Sequence, residues 1–202
     1  MLKPISAVLT LSFALAGCGA MMAQNPSSKL KPVNAVSDEV HSNLMLKGAD
    51  VTAYFTQGRY VQGSPEFTSR YEGVDFLFAS AQSKQLFDQS PEKYLPQYGG
   101  YCANGIMFGI PWGGDADRWR IVDGKLYMFG GQLSQEAFEL SLAQNIALAD
   151  RYWVEEIQGS NSFVQRAKRL VFKVPHYQTG EQQAQAVAQS KSTKPNSSTL
   201  SK

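Results

Sequence analysis

Glu66-Phe67-Thr68-Ser69-Arg70-Tyr71-Glu72-Gly73-Val74-Asp75-Phe76-Leu77-Phe78 is the stretch whose reading decides the fold. Two runs of strand composition flank Glu72-Gly73, where glycine supplies the positive φ that a two-residue hairpin turn needs. Phe76 and Phe78 share one face, because side chains alternate along a strand. Ser80 then stands where a helix N-cap belongs. It opens a helix over Ala81 to about Gln89, with Leu86 and Phe87 as apolar contacts, Pro91 beyond its end and a further helical turn at Pro91 to Leu95. Upstream, Val51 to Phe55 and Tyr60 to Val61 read as short strands around the Gln57-Gly58 turn. Downstream, Trp119 to Val122 and Lys125 to Phe129 flank Asp123-Gly124, a second hairpin signal. From Ser134 to about Ile157 the spacing becomes helical. Phe138, Leu142, Ile146 and Ala149 form one stripe that Trp153 extends. The expectation is an α+β fold of small antiparallel hairpins, short helices and one long C-terminal helix.

Outside this centre the composition changes. A single cation, Lys3, precedes an apolar run from Ile5 to Leu15, and small residues close on Cys18. That is the layout of a secretory signal, and the run falls short of the roughly 20 residues that span a bilayer. Leu15-Ala16-Gly17-Cys18 resembles a lipobox, so residues 1–17 read as a lipoprotein signal peptide and Cys18 as the lipidation site. Two or three acyl chains would hold the chain firmly on a membrane without a spanning segment. Gly19 stands where an inner-membrane retention signal would have Asp, which favours an outer-membrane lipoprotein facing an oxidising periplasm. Residues 18–46 read as a Ser-, Asn-, Pro- and Lys-rich tether, 47–158 as the domain, 159–179 as a basic amphipathic extension and 180–202 as a polar tail too poor in apolar residues to order itself. The extension, with Arg166, Lys168, Arg169 and Lys173 among Val164, Leu170, Val171, Phe172 and Val174, either rests on anionic lipid headgroups or packs on the domain.

The net charge is only +2, with basic residues scattered along most of the chain, so nothing points to nucleic acid as a partner. With Cys18 acylated, Cys102 is an odd cysteine in an oxidising compartment. It follows the Gly-rich, aromatic stretch Tyr98-Gly99-Gly100-Tyr101. Three readings stand: a small buried apolar residue, a soft-metal ligand or a reactive thiol. As a metal ligand, Cys102 would recruit Met107, with Met128, Met45 and His41 as further soft or borderline donors, and copper would be the ion such a set selects. As a ligand site, it would use the aromatics Tyr98 and Tyr101. His176 reads as a surface residue, Asp115, Asp117 and Arg118 as residues flanking the Trp119 strand, and Trp112, Trp119 and Trp153 as core or groove-lining aromatics. No nucleophile elbow, phosphate loop or paired-histidine motif is present, so no enzyme class is supported.

From about Gly48 to Trp153 the chain resembles the YHS domain family, specifically a secreted or lipid-anchored branch. The resemblance rests on Asp50 to Phe55 (DVTAYF), Gly63-Ser64-Pro65-Glu66-Phe67, Phe78-Ala79-Ser80, Phe87 and Ser90-Pro91-Glu92-Lys93-Tyr94. It continues in Pro96-Gln97-Tyr98-Gly99-Gly100-Tyr101-Cys102-Ala103 and Val122 to Tyr127. It implies a small α+β, treble-clef-like module that in short members holds a metal through cysteines. The matching positions here are Ala53, Ala79 and Ser83, and alanine cannot coordinate a metal. The implied role is a non-enzymatic binding module for a soft metal ion or small ligand near Cys102, in contact with the lipid bilayer through Cys18. The alternatives are an envelope protein that recruits a protein partner, and a thiol-dependent redox protein.

Overall fold

A computed structural model of the chain describes residues 35–36 and 44–193. Cys18 and His41, and with them the signal peptide, lie outside the described residues. Strands β1 (Ala35–Val36) and β2 (Leu44–Met45) pair antiparallel, and β2 runs parallel to β4. The helical turn α1 (Ala53–Thr56) follows, then the hairpin of β3 (Ser64–Tyr71) and β4 (Val74–Phe78), which completes a four-stranded sheet in the order β1-β2-β4-β3. Helices α2 (Ala81–Gln89), α3 (Pro91–Tyr94) and α4 (Ala103–Ile106) lead to a separate two-stranded sheet, β5 (Asp115–Val122) and β6 (Lys125–Phe129). Helices α5 (Gln132–Glu139), α6 (Leu142–Tyr152), α7 (Ser162–Val171) and α8 (Gly180–Thr193) close the fold, which is α+β as expected.

Both hairpins form where the sequence places them. Glu72 and Gly73 take φ of 49° and 81°, Asp123 and Gly124 take 49° and 73°, the positive pair of a type I′ turn. Ser80 caps α2 by accepting from the Ser83 N–H at 3.1 Å. Four expectations need correction. Val51 to Phe55 is not a strand: the Asp50 carboxylate accepts the Thr52 N–H, an Asx turn that winds the chain into α1. The predicted long C-terminal helix is broken at Leu140-Ser141. There the Asn145 amide donates to the Phe138 carbonyl, and α5 and α6 send Phe138 and Ala149 into the same buried cluster from either side of the break. Leu44, Met45 and Leu46, assigned to the tether, are buried parts of the core. The tail expected to be disordered from Gly180 forms α8. Its start is a capping box, with Gln182 N–H donating to Thr179 Oγ1 and Thr179 N–H to Gln182 Oε1, and Gln183 and Val187 bury one face against α5.

The molecule is built twice. Fifty-one or 52 residues separate matching features throughout. Leu46, Lys47 and Gly48 have φ of 47°, 54° and 82°, and Tyr98, Gly99 and Gly100 have 55°, 60° and 80°. The Asp50 N–H donates to Val61 O and the Cys102 N–H to Trp112 O, both at 2.9 Å. Register shifts fall between Ser64 and Thr68 in one hairpin and between Asp115 and Trp119 in the other. Parallel bridges join Leu44 to Asp75 and Pro96 to Leu126. Each unit therefore runs: kink, short helix, hairpin, helix.

Two buried clusters correspond to the two copies. The first gathers Val74, Phe76, Phe78 and Phe87 with Tyr54 and Tyr94; the second gathers Cys102, Ile106, Phe108, Phe129 and Phe138 with Tyr152. β6 serves both. Leu126 and Met128 enter the first cluster and Tyr127 and Phe129 the second, so the strand is apolar on both faces.

Candidate functional site

The duplication makes Asp50 and Cys102 equivalent. In the first copy the fully buried Asp50 carboxylate accepts the Thr52 N–H at 2.9 Å, the Thr52 hydroxyl at 2.7 Å and the Ala79 N–H at 3.0 Å. It ties the start of α1 to the end of β4, and both of its oxygens are engaged by the protein.

In the second copy the same cradle surrounds a sulfur. Cys102 is 2 % exposed, and the N–H groups of Asn104, Gly105 and Gly130 and the Ser134 hydroxyl face Sγ. No tight capping hydrogen bond closes on the side chain, as suits a weak acceptor. Burial pushes the Cys102 thiol up; the surrounding donors favour the thiolate but offset only part of that rise. The thiol is therefore protonated at neutral pH. Gly130 is required here, because a Cβ at this position would stand 2.9 Å from Gly113 O and 3.6 Å from Sγ.

A cavity of about 430 Å³ adjoins this sulfur. Cys102, Asn104, Phe108, Trp112 and Ser134 line its inner part, while Lys47, Asp115 and Gln178 stand at its mouth. Asn104 is 6 % exposed; its amide donates to Gln183 Oε1 of α8 at 3.1 Å, and its own Oδ1 is buried without a hydrogen-bond partner among the described residues. A buried acceptor left unpaired costs roughly 1–3 kcal/mol, which a ligand with an N–H or O–H donor would recover.

The structure separates most of the other residues predicted for the site. Met107 is buried but opens onto a different cavity, with His176, Gln144 and Leu148. Tyr98 is a buried brace, its hydroxyl donating to Asp150 at 2.7 Å and its ring against Tyr127 and Trp153. Burial, reinforced by the Asp150 carboxylate, pushes its phenol far above the usual range. Tyr101 pairs with Ser162 and Arg166 of α7 rather than lining the Cys102 cavity. Met128 neighbours Cys102 through a parallel bridge but packs into the first cluster, as does Met45. His176 is not a plain surface residue: its Nε2 lies 2.8 Å from Met107 O and its ring packs on Phe108 and Tyr152. Trp112 lines the cavity as a groove aromatic. Sequence reading missed Asn104, Gly130 and Ser134. The signal that finds them is the offset itself, since Thr52, Ala79 and Ser83 lie 51 or 52 residues earlier.

Among the described residues no group of three or more His, Cys, Asp or Glu side chains could hold a metal ion. Ala53, Ala79 and Ser83, where the resemblance places metal cysteines, have Gly105, Gly130 and Ser134 as counterparts around Cys102. Neither copy carries a thiolate set there, so the residues present do not fit that metal centre. Among the described residues no helix is long and apolar enough to cross a membrane.

Comparison with known families gives one match: the YHS domain, over residues 52–98. The matched segment covers most of the first copy, ends at Tyr98 in the opening kink of the second, and does not reach Cys102. No curated protein and no solved structure matches the chain.

Proposed function

We propose that this YHS domain protein is a non-enzymatic binding module, lipid-anchored through Cys18 at the periplasmic face of an outer membrane, and that its site is the Cys102 cavity of the second copy. The observation that carries the reading is the contrast between the copies. One cradle is filled by its own carboxylate, whereas the other presents a sulfur and an unpaired Asn104 Oδ1 beside about 430 Å³ of space. The ligand is a small polar molecule with a donor for Asn104 and a soft or sulfur-reactive group for Cys102. The association of YHS domains with metal binding supports a second reading, a single soft ion such as Cu(I) on the Cys102 sulfur.

The reduced full chain, treated with methyl methanethiosulfonate and separately with a bulky maleimide, tests both. Peptide mapping should find Cys102 modified by the small reagent in the folded protein, slowly because its thiol is protonated, and protected from the bulky one. Ser134→Trp should block the small reagent too. Labelling that appears only on denaturation sinks the cavity reading. Titration with Cu(I) against a competing chelator then separates the ligand classes. One equivalent lost in Cys102→Ser assigns a metal, and no uptake with labelling intact assigns an organic ligand.

A further inference from the structure

Helix α7 is built inside out. Asn161 caps it by accepting the Phe163 and Val164 N–H groups at 3.0 and 3.1 Å. Its inward face is polar: Gln165 donates to Gly109 O and to Glu156, Arg169 forks onto Glu156, and Arg166, 1 % exposed, reaches Ser162 and Tyr101. Its apolar side chains face away. Phe163, Ala167, Leu170 and Val171 recur at helical spacing with Val164 beside them, and Val164, Val171 and Phe172 are 62, 72 and 68 % exposed. Soluble surfaces scatter such residues singly; a contiguous stripe marks an interaction face.

We propose that this face of α7 docks on an anionic lipid surface. The charge fits: no Asp or Glu occurs between Gln158 and Gly180, and two exposed cations flank the stripe, Lys168, which also pairs with Glu156 at 3.2 Å, and Lys173, over the Tyr177 ring. Apolar residues under a basic rim match the boundary between headgroups and acyl chains. The reach fits too, a step that rests on the proposed anchor. Sixteen residues lie between Cys18 and Ala35 at the start of β1, at most about 60 Å of chain, so the domain cannot leave the vicinity of the bilayer that holds it. Docking would fix the domain's orientation and present the cavity mouth in one direction.

Hydrogen exchange of the full chain reads this directly. With phosphatidylcholine vesicles containing about a quarter phosphatidylglycerol, amides of residues 163–172 should exchange roughly tenfold more slowly than without vesicles, and high salt should weaken the effect. Val171→Glu with Phe172→Glu should abolish the slowing while leaving exchange in β3 to β6 unchanged. Equal exchange with and without vesicles overturns the proposal. So does slow exchange without lipid: if it grows with protein concentration a second copy covers the face, and if it does not, another segment of the chain does. The lipid mass on the Cys18 peptide reports the anchor separately, so either idea can fail alone.

Discussion

Asp50→Ala is expected to lower the stability of the folded chain by about 3–5 kcal/mol, the largest loss from any single polar substitution in the fold. The carboxylate is fully buried and accepts three donors, two of them backbone N–H groups with no other partner in view. Truncation strands the Thr52 and Ala79 N–H groups in an apolar interior, and each such group costs roughly 1–3 kcal/mol. It also removes the Asx turn that starts α1. Asp50→Asn should recover part of the loss, because its amide oxygen can serve Thr52 while its NH₂ faces the Ala79 N–H. Urea unfolding followed by circular dichroism checks the order wild type, Asn, Ala. An Ala variant within about 1 kcal/mol of wild type would show that the cradle does not hold the first copy together.

Phe87→Ala and Phe138→Ala should each cost about 3–5 kcal/mol, the range for deleting a buried aromatic. Phe87 lies 4.6 Å from Phe76 and 5.1 Å from Phe78, ring centre to ring centre, and Phe138 lies 5.5 Å from Phe129. The pair tests more than packing. Because β6 sends Leu126 and Met128 into one core and Tyr127 and Phe129 into the other, the copies share a strand and cannot unfold separately at low cost. Both variants should therefore shift one cooperative transition by similar amounts. Two resolved transitions, each sensitive to only one substitution, would mean that the copies are independent units.

Much of this fold was legible because its punctuation is local. Glu72-Gly73 and Asp123-Gly124 fix their hairpins through turn geometry alone, and Ser80 fixes the start of α2. The rest of the fold depends on contacts that local pattern does not carry. The strand composition of Val51 to Phe55 is overridden by one hydrogen bond from Thr52 to Asp50. The apolar stripe through Phe138, Leu142 and Ile146 continues across Ser141, so the break between α5 and α6 is invisible to periodicity. Gly180 to Thr193 lacks the apolar residues that announce a helix, yet Thr179 and Gln182 form a capping box that was there to be read.

The site shows the same division. Cys102 stands out as an odd cysteine, but the fold sends elsewhere the residues that chemistry groups with it, Met107 as a soft donor and Tyr98 and Tyr101 as ligand aromatics. The residues that do surround the sulfur come from α4, the end of β6 and the start of α5. The duplication that aligns them is hidden because its copies share glycines, turns and spacing rather than side chains. Asp50 and Cys102 have no chemical likeness in a sequence, and only matching backbone angles and hydrogen bonds make them counterparts.

The equivalence of those two positions is the central claim, and comparing thermal melting of Cys102→Asp with Cys102→Val tests it most directly. Valine keeps the size and polarity of a buried structural thiol but leaves the cradle donors unanswered, whereas aspartate can accept them as Asp50 does. The Asp variant is predicted to fold and to melt at or above the Val variant. If Cys102→Val melts like wild type while Cys102→Asp unfolds, the pocket around the sulfur is an ordinary apolar site and the second copy holds no donor cradle.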